Sequence, residues 1–174
     1  MTDPTAFDRQ EWLLLGTAPL AAAAAVAVAA PGGGRREEQA LLLAWRSADA
    51  VFAESQLVGA IVRELDPQDR AEQEAAQAAL AEPPSSFSNV LDEAIDLCQR
   101  ALAVVEQRGS AQDVEDYRRF VLYLARQVAT ATREGSLLGL GGQAISRAER
   151  SALDQIARAL GLDHDWADQT PGLV

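Results

Sequence analysis

The side chains able to do chemistry in this sequence are few, and most are anionic. Asp92, Glu93 and Asp96 form a D-[DE]-x-x-D pattern in which Asp92 and Asp96 fall one helical turn apart, close enough to share a cation. No second acidic motif of that kind is present. Acids also favour helix N-terminal turns, where they meet the positive end of the macrodipole, so a solvated acidic face is expected there. Arg119, Arg126 and Arg133 recur at seven-residue intervals and form a stripe along one side of a helix, with Thr130 beside them. Such a stripe can grip a phosphate, a carboxylate or an acidic partner helix. It can equally be consumed within the chain, beginning with Glu115 four residues before Arg119. His164 sits between Asp163 and Asp165 near the C-terminus, with no serine nucleophile tied to it by spacing. Cys98 falls on an apolar helix face and reads as core.

What is missing narrows the chemistry further. The chain has one cysteine, one histidine and no lysine. Without lysine there is no Schiff base and no phosphate loop of the Gly-Lys-Ser/Thr kind. One Cys and one His cannot supply the four ligands of a structural zinc site. A single thiol excludes an internal disulfide and fits a reducing compartment. The formal net charge of −11 works against nucleic acid and anionic membranes, which select cationic surfaces. No catalytic set emerges, so the chain reads as non-enzymatic and needing no organic cofactor.

Helices must position these residues. Hydrophobic residues make up 48% of the 174-residue chain and aromatics only 5%, with alanine abundant. Alanine is the best helix former, so the expected class is all-α: one compact bundle of about eight helical segments. A short helix is expected from Thr5 to Leu15, re-capped at Gly16-Thr17 into an Ala-rich helix with Pro19 in its first turn. Pro31-Gly32-Gly33-Gly34 stops it. Leu41, Trp45, Ala48 and Phe52 then keep helical spacing, with a break near Glu54-Ser55 and a resumption through Leu57, Ile61 and Leu65. Asp66-Pro67 opens an exposed helix over 68–81, and Pro83-Pro84 breaks the chain. A helix from about Ser88 to Arg108 is apolar over a wide arc and is expected at the centre. Ser110 with Asp113, and Ser146 with Glu149, have capping-box spacing, and Gly161 is placed to close the last helix.

The run from Leu13 to Ala30 approaches the length of a membrane span. Gly16 and Pro19 interrupt it, and Asp3, Asp8 and Glu11 precede it against Arg9 alone, the reverse of an export signal. It is expected to be a buried core helix of a cytoplasmic protein. The expected domain is 1–161, with 162–174 as a tail.

Two stretches share one organisation: an Ala-rich helix, a Gly-containing loop, then a Glu-bearing helix start with leucines behind it. They fall in candidate halves 1–82 and 88–161. The second carries Ile145, Ser146, Glu149, Leu153, Ile156, Ala157, Leu160 and Gly161. In this the chain resembles the bacterial tellurite-resistance TerB-like proteins, whose corresponding helix reads I-S-x-x-E-x-x-x-L-x-x-I-A-x-x-L-G. The resemblance is strongest over residues 125–161 and covers about a quarter of the chain. It implies an all-helical stress-response or interaction protein with acidic loops linked to divalent cations. A calcium or magnesium site would then rest on Glu134, helped by Glu149, Glu37 or Glu38. The sequence departs from the family pattern where Pro31-Gly32 stands in the first half. The competing reading is a small-molecule-binding helical protein or enzyme, with an apolar cavity and an anion site at Arg119, Arg126, Thr130 and Arg133. The partner is a protein or a small molecule, and leucines in the 135–142 loop point to self-association.

Overall fold

The computed structural model describes residues 6–29, 35–65, 87–131 and 145–162. They form α1 (Arg9–Ala29), α2 (Arg35–Val51), α3 (Gln56–Glu64), α4 (Phe87–Arg108), α5 (Ala111–Ala131) and α6 (Arg147–Ala159), with no strand among them. The class is all-α. The helix expected over 68–81, the Gly/Leu-rich loop and the His164 region lie outside the described residues.

The first two expected segments are one continuous helix. Asp8 caps α1: its Oδ1 accepts from the N–H groups of Gln10 (2.8 Å) and Glu11 (2.9 Å), and Glu11 Oε2 accepts from the Asp8 N–H at 2.9 Å. No re-capping occurs at Thr17, whose hydroxyl donates back to the Leu13 carbonyl at 2.8 Å. Pro19 lies inside the helix. Having no N–H, it cannot serve the carbonyl four residues earlier. That carbonyl, Leu15, instead accepts from the Tyr117 hydroxyl of α5 at 2.9 Å. Glycine at position 16 also serves packing, because a Cβ there would meet Leu65 Cδ1 at 2.5 Å.

The centre of the bundle differs from expectation for a related reason. Beyond Glu11, α1 carries no charged side chain, so it has no face to offer water. It packs against α3, α4, α5 and α6, burying Leu15, Ala18, Ala21, Ala22, Ala25 and Val26. By length and composition α1 is also apolar enough to cross a membrane, and half of that apolar window is buried here among the other helices. Its chief partners are α4 and α5. The middle of α5 is buried all round, in an unbroken run from Phe120 to Ala125. The helix expected at the centre, α4, instead buries one stripe (Leu91, Ala94, Cys98, Ala101, Leu102, Val105) and exposes the other. Its many charges account for this: Asp92, Glu93, Asp96, Arg100 and Glu106 must remain hydrated.

The remaining boundaries follow local signals. Ser55 caps α3, accepting from the Val58 N–H. Trp45 Nε1 donates to the Val62 carbonyl at 3.2 Å, fastening α2 to α3. An aromatic cluster joins these helices to α5, with Trp45 and Phe52 ring centroids 5.6 and 6.0 Å from that of Phe120. Ser146 and Glu149 complete the capping box of α6. Its other end closes on Gly161 at φ 71°, where Leu162 N–H bonds Ala157 O and Gly161 N–H bonds Arg158 O.

Candidate functional site

The acidic residues expected to serve a cation are partly brought together. Glu37 and Glu149 are each the third residue of their helices, α2 and α6. Helix starts gather orphan N–H groups, which is why glutamates settle there. Glu149 uses that position fully: its Oε2 accepts from the Ser146 N–H at 2.7 Å. Glu37 is also buried, at 8% exposure, but its Oε1 has no hydrogen-bond donor among the described residues. Burial raises the Glu37 pKa above its ordinary 4.5, and the Glu149 carboxylate raises it further. The apolar surroundings explain the first effect. Glu37 and Glu38 border a cleft of about 230 Å³ that Ala23, Ala24, Ala27, Leu41 and Val128 otherwise line. Glu38 is exposed at its rim. Glu134 lies outside the described residues. Among the described residues no group of three or more His, Cys, Asp or Glu side chains converges.

Of the arginine stripe, Arg119, Arg126 and Thr130 fall among the described residues, all on α5. Arg119 pairs with Glu115 at 2.9 Å, the i, i+4 contact its spacing predicts. Arg126 is half-buried on α5. Thr130 donates its hydroxyl proton to the Gln127 carbonyl at 3.0 Å, which leaves it an acceptor only. Arg133 lies outside the described residues. On α4, Asp92, Glu93 and Asp96 face solvent, with Asp96 3.5 Å from Arg100. Cys98 donates to the Ala18 carbonyl at 3.7 Å, and burial pushes its thiol up to about 12, so it is a core residue with no thiolate chemistry near neutral pH.

Thr130 nevertheless borders a feature that the sequence reading missed. An open groove of about 770 Å³ runs between α2 and α5. On α2 it follows Arg36, Gln39, Ala40, Leu43, Ala44 and Ser47, and on α5 it meets Tyr123, Gln127 and Thr130. The α2 positions recur at helical spacing, and their small members were a readable sign that this flank leaves space. Compared with family models, characterised proteins and solved structures, the chain finds no match in any of the three.

Proposed function

We propose that this chain is a non-enzymatic helical interaction protein of the stress-response kind that the TerB-like proteins represent. Its working element is the meeting of two Glu-bearing helix starts, which binds a divalent cation. The observation that carries the reading is Glu37: a buried carboxylate with an undonated oxygen, beside a second carboxylate. Two such groups repel unless a proton or a cation lies between them. Calcium and magnesium both prefer oxygen ligands and take more than two, so Glu38 and water would complete the shell. The matching position of Glu37 and Glu149 in their helices also supports a chain built of two related halves. In this reading the protein works in the cytoplasm, and cation binding fixes the α2 and α6 starts for a protein partner.

Thermal melts in chelator, magnesium and calcium test the proposal. A cation that binds only the folded state at about a hundred times its dissociation constant adds about 2.7 kcal/mol. For a chain of this size that raises Tm by roughly 5–10 °C. Glu149→Gln keeps the cap acceptor but removes the charge, and it should abolish the rise. Melting curves unchanged by both ions would end this reading.

A further inference from the structure

We infer that the groove between α2 and α5 binds a small amphiphilic carboxylate, with its head at Arg36 and its apolar body along Ala40, Leu43 and Ala44. The groove, at about 770 Å³, falls in the range of small-molecule sites, roughly 300–1,000 Å³. It is separate from the acidic cleft, because Glu37, Glu38 and Leu41 occupy a different flank of α2.

Charge selects the head group. The chain carries a net charge of −11 with 26 acids, yet no described residue lining this groove is acidic. Arg36 is its one lining cation, exposed and without an ion pair among the described residues. A guanidinium with no carboxylate partner among the described residues is open to an external one, and its fork matches carboxylate geometry.

The walls select the body. Ala40 and Ala44 open the channel, and Leu43 stands 64% exposed beside it, apolar surface that a ligand would cover. Tyr123 selects a further polar point. It is 4% exposed and lines the groove. A tyrosine hydroxyl on the groove wall can donate to a ligand oxygen that lies there. Burial also raises the Tyr123 pKa, so the group stays a donor at neutral pH. Thr130 has committed its proton to Gln127, so the anion belongs at Arg36 and not on the threonine.

Amide chemical-shift titration with octanoate, octanol and inorganic phosphate, each alone, tests the inference. Octanoate should give saturable shifts confined to residues 36–47 and 123–131, with a dissociation constant of about 1 mM or tighter. Octanol and phosphate should each bind at least about tenfold more weakly, since each lacks one half of the match. Arg36→Gln, at an exposed site, should weaken octanoate about tenfold and leave octanol unchanged. Tyr123→Phe keeps the ring against Phe52 and should weaken octanoate several-fold. No saturation, equal binding of octanol or of phosphate, or an unaffected Arg36→Gln would each overturn the proposal.

Discussion

The described fold buries four polar or charged residues, and it treats one of them differently from the rest. Ser55, Asp113 and Glu149 lie at the starts of α3, α5 and α6, and each accepts a backbone N–H there. The interior goes further, because the carbonyl that Pro19 strands at Leu15 receives the Tyr117 hydroxyl. Glu37 occupies the same kind of helix-start position but keeps an oxygen with no donor among the described residues, and the Glu149 carboxylate raises its pKa. A buried polar group that is answered holds the bundle together, and one left unanswered works against it. The contrast separates polar groups that the described fold answers from one that it does not.

The largest test of this contrast is Tyr117→Phe, which strands the Leu15 carbonyl and should cost about 1–3 kcal/mol in urea denaturation. Pro19→Ala supplies an N–H to that carbonyl, so adding it should recover much of the loss. Strict additivity in the double-mutant cycle would show that the two residues do not share this carbonyl. A smaller effect of opposite sign is expected at Glu37. Its folded pKa is raised, so the folded state holds the proton more tightly than the unfolded chain. The resulting stability is present below the unfolded value near 4.5 and is lost as pH rises through the folded value. In chelator at neutral pH, Glu37→Gln should therefore melt a few degrees higher than the native protein, with the gap closing toward pH 4. A gap independent of pH would remove the buried charge from the account. The smallest effect belongs to the surface: Glu115→Gln, which breaks the half-exposed pair with Arg119, should change stability by at most about 0.5 kcal/mol.

Much of the local architecture was legible in the residues themselves. The break at Ser55, the caps at Ser110 and Ser146, the stop at Gly161 and the Glu115–Arg119 pair all depend on neighbours within a few positions. Such interactions repeat wherever the spacing repeats. The candidate site was legible only in part. The expected cation site rested on Glu134, which lies outside the described residues, with Glu149, Glu37 and Glu38 only as helpers. The groove was not legible, because nothing in Arg36 or Tyr123 alone says that they share a surface.

By itself the sequence determined the helical class, the caps at Ser55 and Ser146 and the stop at Gly161, since these rest on composition and short-range hydrogen bonds. Tertiary structure decided the continuity of α1 through Pro19, the choice of α1 and α5 as the centre, and the burial of Glu37 next to Glu149. Each of those depends on a partner distant in the chain: a hydroxyl for Leu15, four helices for an alanine face, a second carboxylate for Glu37. The cost of burying a polar group is set by what the fold brings against it, and only the packed structure supplies that neighbour.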